Sequence, residues 1–507
     1  MTPDPGAATI AELLAAAPAA APALRSLDGQ APLTHAALRD LMLRTQAGLN
    51  ARGIGRGDRV AMVLPNGPGA AAAFLAVAAS AAAAPLNPGY RREEYDFHLR
   101  DLAPAALLTI AGIAAPARAA AAALGVMVIE MVAEPAHGAG AFRLEGGRIG
   151  RARQPGFAAA TDLALLLHTS GTTARPKRVP LTQANLVASA RHVAAALALG
   201  PGDLGLGIMP LFHIHGLVAG LLAPLAAGGS VCCTPGFDAL RFQRLLMAER
   251  PSWVTAVPTM YQAILMRAAP GGPAAPSLRF LRSSSAALPG PVLEALEARF
   301  GVPAIESYGM TEAAHQIASN RLDRPRRPGV AGWPAGPELV LLDEAGDAVP
   351  AGGLGEVAIR GPNVMRGYAD NPAANARAFA GGWLRTGDQG RLGPDGALTL
   401  TGRLKELINR GGEKISPLEL DAVLAAHPAV AQALCFALPH ARLGEEVAAA
   451  VVLRGGHTLD EAALRRFAAD RLADFKVPRR VIFLPEIPKG PTGKPMRLGL
   501  AAQLGLA

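Results

Sequence analysis

The chain has 507 residues, half of them hydrophobic, which is enough to bury more than one core and too long for a single compact domain. Only three cysteines, Cys232, Cys233 and Cys435, are present, which suits a reducing compartment, the cytoplasm, better than a disulfide framework. The net charge of +9 is spread over arginines among alanine-rich helices, with few aromatics for base stacking, so it reads as a solvated surface attractive to small anions rather than as a nucleic-acid interface.

Through residues 1–300, apolar strands alternate with amphipathic helices, predicting parallel sheets with helical crossovers. The alanine-rich run 70–84, broken by Ser80 and closed by Pro85, is too short and weakly apolar to span a bilayer and is expected to be a packed helix. Next, Leu165-Leu166-Leu167-His168-Thr169-Ser170-Gly171-Thr172-Thr173-Ala174-Arg175-Pro176-Lys177 is an apolar strand that breaks into a hydroxyl-rich loop ending in lysine. The hydroxyls of Thr169, Ser170, Thr172 and Thr173 can donate to phosphate oxygens, Gly171 permits a turn that exposes backbone amides, and Lys177 adds a mobile positive charge. Taken alone, the same loop reads equally as a solvated turn. It is not a Walker loop, because Pro176 precedes the lysine and the next helix is expected near Thr182.

Trp253 to Val257 reads as a buried strand, and Pro291 to Phe300 as a helix with Val292, Leu293, Leu296 and Phe300 on one face. Glu306-Ser307-Tyr308-Gly309-Met310-Thr311-Glu312 then supplies an aromatic face, a hydroxyl and a carboxylate, the set needed to stack a base, touch a phosphate and hold magnesium. After Pro337 the pattern changes to short strands, Leu339 to Leu342, Glu356 to Ile359 and Leu398 to Leu400, separated by Gly, Pro and Asp turns. Asp388 is expected at a turn, where its carboxylate can accept two ribose hydroxyls. Beyond Arg403 a smaller unit is predicted. It has a helix near Leu418 to Leu424, a strand around Gln432 to Phe436, a helix capped by a Thr458–Glu461 box, and Lys494 on a glycine loop.

In order and spacing these segments resemble the adenylate-forming superfamily of acyl-CoA synthetases, luciferases and peptide-synthetase adenylation domains, over essentially the whole chain. Within it, Pro210 to Leu217, Lys405 to Pro417, His168 to Gly171 and Arg282-Ser283-Ser284-Ser285-Ala286 look most like oxalate:CoA ligases. The resemblance implies an α/β fold. A large N-terminal domain of parallel α/β sheets, residues 1–402, would include a small antiparallel barrel-like subdomain at 337–402, followed by a small mobile α+β domain at 403–507. ATP would be gripped by Thr169, Ser170, Gly171, Thr172, Thr173 and Lys177, with Ser285, Ala286, Glu306, Ser307 and Tyr308 around the AMP moiety and Tyr308 stacked on adenine. Thr311 would touch the phosphate, Glu312 would hold Mg2+, and Asp388 and Arg403 would bind ribose. Lys494 would drive adenylation, Lys405 would be the hinge, and Gly411-Gly412 would let the thiol arm of CoA pass close to backbone.

Two positions depart from the superfamily pattern: Ala174 stands where glycine or serine is usual, and Arg178 where glycine usually follows the lysine. A positive φ at 178 would strain an arginine; its side chain is expected either in solvent or on a phosphate. For a small dianionic acid such as oxalate, His213, Arg282, Ser283 and His315 are the polar candidates. His213 and His215 could instead be packing residues, and Arg282 could pair with Glu306. The implied partners are thus a small carboxylate, ATP and CoA, with no nucleic acid, no membrane span and a possible homo-oligomer. Malonate or another short or aromatic acid, transfer to an acceptor other than CoA, and a degenerate nucleotide-binding relative remain as alternatives.

Overall fold

Burial selects the central strands. Ala82–Pro85, Ala106–Thr109, Trp253–Ala256 and Phe280–Ser283 are buried at every position, and a strand without a solvent face must be covered on both sides. The computed structural model describes residues 7–169, 176–267, 277–350, 352–489 and 495–506, and it places these strands in two sheets. The seven-stranded sheet runs Phe142–Gly146, Met127–Ala133, Ala106–Thr109, Arg59–Met62, Ala82–Pro85, Leu163–Thr169, Lys177–Thr182. Its interior neighbours are parallel, while the strand at each edge pairs antiparallel.

The second sheet has fourteen strands, thirteen of them on one path and Phe379–Ala380 paired off it. Ser230–Cys233, Leu204–Gly207, Trp253–Ala256, Phe280–Ser283 and Ala304–Met310 are parallel. The short strands expected beyond Pro337 are present as Glu338–Leu342, Leu354–Arg360, Trp383–Leu392 and Leu398–Arg403, all antiparallel. They extend the parallel strands along one path, and the change to antiparallel comes earlier than Pro337, at the pairing of Met310 with His315. The cause is the tight turn Thr311–Ala313, followed by Ala314 and His315 at φ 48 and 99, which is too short for a parallel crossover.

The alanine-rich run is a helix and a strand, not one helix. Pro68–Ala78 is helical, and the chain then turns at Ser80, whose hydroxyl donates to the Ala76 carbonyl (3.2 Å), and enters Ala82–Pro85. Alanine carries no side-chain pattern that separates the two states. Residues Ala70 to Ala78 of this helix are all buried, and it touches Ala82–Pro85 and Leu163–Thr169 of one sheet as well as Pro22–Arg25 and Ser230–Cys233 of the other. In Gly290–Phe300 the expected Leu293, Leu296 and Phe300 are buried, with Val292 half-buried against the same cluster.

From Ile408 onward the chain builds a separate five-stranded sheet and its own apolar clusters, centred on Leu420, Val447 and Val451 on one side and Phe436 and Leu500 on the other. The predicted helix and strand appear as Pro417–Ala425 and Val430–His440. The predicted capping box does not. Asp460 is the N-cap of Glu461–Ala469, accepting from the Ala463 amide (2.7 Å), while Glu461 accepts from the Val481 amide (3.1 Å). A carboxylate directly before the helix displaces a hydroxyl two residues further out. This tail meets the body through polar contacts such as Gln432 with Gln262 (3.1 Å) and Lys414 with Glu344 (2.9 Å). Among the described residues no helix is long and apolar enough to cross a membrane.

Candidate active site

The phosphate loop of the sequence joins two antiparallel strands, Leu163–Thr169 and Lys177–Thr182, with Thr169 opposite Lys177. Ser170, Gly171, Thr172, Thr173 and Ala174 lie outside the described residues, as does Lys494. Past the hairpin, Thr182 caps the helix Gln183–Ala196 by accepting from the Asn185 amide (3.2 Å), so the expected helix start holds. Lys177 is half-buried, its ammonium 4.3 Å from the centre of the Tyr368 ring. Burial pulls its pKa down, while the charge of Glu312 pulls the other way.

Arg178 adopts neither expected role. Its backbone is not at positive φ, and it lies within a regular strand. Its guanidinium donates to the Asp101 carbonyl (2.9 Å) and Asp370 Oδ2 (2.6 Å) and pairs with Asp101 Oδ2 (3.3 Å). Two carboxylates thus take the side chain away from both bulk water and a phosphate. His168 leans on the same acid, Nε2 to Asp101 Oδ2 at 2.8 Å.

Thr311 opens the tight turn Thr311–Ala313 and is partly exposed, whereas Glu312 is buried beside it. Tyr368 donates its hydroxyl to Glu312 Oε1 (2.8 Å). Among the described residues no cluster of three or more His, Cys, Asp or Glu could hold a metal. The Glu312 carboxylate, beside the hairpin expected to bind phosphate, nevertheless fits Mg2+, which takes one or two protein carboxylates and completes its shell with phosphate and water.

On the nucleoside side, Asp388 sits in the strand Trp383–Leu392, not in a free turn; the irregular pairing of that strand and Gly387 at φ 76 aim it inward. Its carboxylate accepts from the Tyr308 hydroxyl (2.5 Å) and from Arg403 Nε (2.9 Å), so three predicted residues converge. Burial, then the Asp388 charge, drives the Tyr308 hydroxyl well up, keeping it a donor. Ser307 Oγ donates to the Ser283 carbonyl (3.3 Å), and Ala286 is exposed at the mouth of the loop that follows Ser283. Glu306 does not pair with Arg282. In register with Ser283 rather than Arg282, it points to the other face of the sheet, accepts from the Leu288 amide (2.9 Å), and burial pushes its pKa up to about 7.

Arg282 is fully buried. It donates to Thr255 Oγ1 (3.2 Å), His315 Nε2 (3.0 Å) and Gln316 Oε1 (3.0 Å), and lies 3.4 Å from His215 Nε2. No carboxylate is among these four, and burial lowers its pKa to about 9. His215 and His315 stack with ring centres 4.9 Å apart, and His215 Nδ1 is 3.1 Å from Ser285 Oγ, whose φ of 74 turns the loop toward the imidazole. Ser283 Oγ is buried without a partner. His213 is placed differently, half-exposed at the start of the helical turns and tilted against Phe212 at 4.5 Å. The second histidine of the pair, read as a packing alternative, is the one that reaches Arg282. Tyr368, Thr255 and Gln316 escaped sequence reasoning; a tyrosine 56 residues from its carboxylate carries no local signal.

Two family descriptions match: AMP-binding enzyme over residues 12–369, and AMP-binding enzyme C-terminal domain over residues 419–494. The chain belongs to the AMP-binding enzyme family. It is similar to the oxalate–CoA ligase of Arabidopsis thaliana, 44% identical over 93% of each chain. It is also similar to that of Saccharomyces cerevisiae, 39% identical over 88% of this chain and 87% of the relative. Among solved structures, ATP-bound MatB from Rhodopseudomonas palustris superposes with a TM-score of 0.86 at 29% identity, covering 98% of this chain and 99% of that one. The protein is an ATP-dependent acyl-CoA ligase, an acid–thiol ligase of the adenylate-forming fold.

Proposed function

We propose that this enzyme is an oxalate:CoA ligase. The observation that carries the reading is Arg282, a buried cation whose hydrogen-bond partners among the described residues include no carboxylate. Such a charge is costly unless an anion completes it, and a second carboxylate on the acid supplies that anion where a long acyl chain has none. The two stacked histidines beside it and Ser285 add polar groups at small spacing, and the similarity to two oxalate–CoA ligases supports oxalate over malonate for this chain.

In the first half-reaction one carboxylate oxygen of the acid attacks the α-phosphorus of ATP, and pyrophosphate leaves with the electrons of the broken P–O bond. Lys177 and Lys494 would face the charge that builds on the phosphates, while Asp388 and Arg403 would fix the ribose. Mg2+, held by Glu312, would neutralise phosphate charge. In the second half-reaction the CoA thiol, losing its proton, attacks the acyl carbon and AMP leaves. For this step residues 403–507 would turn at Lys405 to withdraw Lys494 and present Gly411 and Gly412, which lie at φ 60 and 97 on the hairpin between Ile408–Arg410 and Glu413–Ile415. We place the enzyme in the cytoplasm, where buried unpaired thiols at Cys232, Cys233 and Cys435 suit a reducing medium.

The test is CoA-dependent AMP release across oxalate, malonate, acetate, octanoate and coumarate. Oxalate is expected to have the highest kcat/KM; a preference for malonate would move the assignment to a longer diacid, and a preference for octanoate would remove Arg282 as the specificity element.

A further inference from the structure

Lys177 and Glu312 carry opposite charges in the same cleft, yet they make no direct ion pair among the described residues; the Tyr368 ring lies against one and its hydroxyl holds the other. We propose that Tyr368 is a positioning residue for adenylation, a spacer that keeps the ammonium of Lys177 free to meet phosphate and fixes one oxygen of Glu312 so that the other faces a divalent cation. This inference rests on the nucleotide-site reading above.

The backbone around Tyr368 is built to hold such a spacer. Asn375 clamps it twice, accepting from the Tyr368 amide (2.7 Å) and donating to the Tyr368 carbonyl (3.0 Å). Gly367, at φ 154, lies against Asn375, where a β-carbon would come within 3.1 Å of the amide. Upstream, the Met365 amide donates to the Glu312 carbonyl (2.8 Å), tying the segment to the turn that carries the carboxylate. Downstream, the Ala369 amide donates to the Arg178 carbonyl (3.1 Å), and Asp370, at φ 50, receives the Arg178 guanidinium. The segment is therefore a strap from Glu312 to the base of the phosphate hairpin, with Tyr368 standing between its two ends. Arg178, the residue that departs from the superfamily pattern, fastens the hairpin end.

Packing alone would require only a buried ring. Here the hydroxyl goes to the one carboxylate expected to hold the metal, and a neutral donor on a carboxylate orients it without cancelling its charge. A desolvated aromatic face likewise holds an ammonium without neutralising it. A carboxylate in place of the ring would pair with Lys177 and remove it from the reaction.

The experiment compares the full-length enzyme with Tyr368→Phe and Tyr368→Leu. Binding of ATP is measured by calorimetry with and without Mn2+, beside the Mg2+ dependence of ATP–pyrophosphate exchange and the thermal midpoint. Tyr368→Phe keeps the ring, so ATP affinity without metal should be unchanged, while the metal concentration for half-saturation rises about tenfold or more at an unchanged midpoint. Tyr368→Leu should in addition weaken metal-free ATP binding, because Lys177 loses its platform. A Phe variant with wild-type metal dependence and exchange rate would overturn the inference, and it decides the matter even where the Leu variant fails to fold. Failure of the wild-type enzyme to bind Mn2+ and ATP would instead overturn the nucleotide-site reading itself.

Discussion

Asp388 and Arg282 are both buried charges, and they live in opposite company. Asp388, proposed for the ribose, has a cation at 2.9 Å and a tyrosine hydroxyl at 2.5 Å, so its charge is balanced within the protein. Arg282, proposed for the acid, touches a threonine, a glutamine and two histidines, none of which carries a carboxylate. A balanced site is preorganised for a neutral sugar, which needs oriented acceptors and no net field. An unbalanced one would favour an anion, because the ligand itself would supply the missing charge.

That contrast can be broken most severely at Arg282. Arg282→Met, apolar and similar in length, should lower kcat/KM for oxalate about a hundredfold or more while leaving ATP binding intact. Because an unmatched buried cation is a poor stabiliser, the thermal midpoint should not fall. A large drop in midpoint with oxalate kinetics preserved would show that the guanidinium serves the fold instead. Asp388→Asn should do the converse, weakening ATP about ten- to hundredfold and destabilising the protein by leaving Arg403 unmatched; calorimetry and melting read both.

Glu306 sharpens the comparison as a buried acid that solves its burial by keeping its proton. Its folded pKa, about 7, lies above the ordinary 4.5, so between pH 4.5 and 7 the unfolded chain gives up this proton and the folded chain retains it. Stability therefore falls through that window as pH rises, by on the order of 3 kcal/mol. Glu306→Gln should melt higher than wild type at pH 8 and lose that advantage by pH 5. The variant pair also separates this effect from His98 and His168, whose pKa values burial lowers and which destabilise the fold in the opposite sense as pH drops below 6.5. The smallest effect is expected at Gly412→Ala. No atom lies within 4 Å of the added β-carbon, so only the φ of 97 opposes it, costing about 1 kcal/mol; separate half-reaction assays should find thioester formation slowed and pyrophosphate exchange unchanged.

Local signals carried much of the fold. The leucines before His168 mark a strand, Thr182 marks a helix start, and Gly, Pro and Asp turns mark the short antiparallel strands. Where one residue type serves two states, the signal failed: alanines 70–84 are helix and then strand. Where two caps compete, the nearer acid, Asp460, won over Thr458. At the site, Tyr308, Asp388 and Arg403 were legible from motifs and do converge. Arg282 was legible as a polar group but not as one without a carboxylate partner, because its neighbours come from two other strands and a helix and only folding brings them together. Arg178 looked like strain because its two acids, Asp101 and Asp370, lie 77 and 192 residues away.

The helix Pro68–Ala78 lies between elements of both sheets and is made of alanine at six of its buried positions, 70–73, 76 and 78. Alanine has no rotamers to freeze, so ordering those side chains carries no entropic penalty, and where they meet the sheets only a methyl stands between strand and helix. The same economy removes slack. A methyl replaced by anything bulkier has no alternative rotamer into which to escape, so the centre of this enzyme should tolerate fewer substitutions per residue than the leucine-lined cores around it.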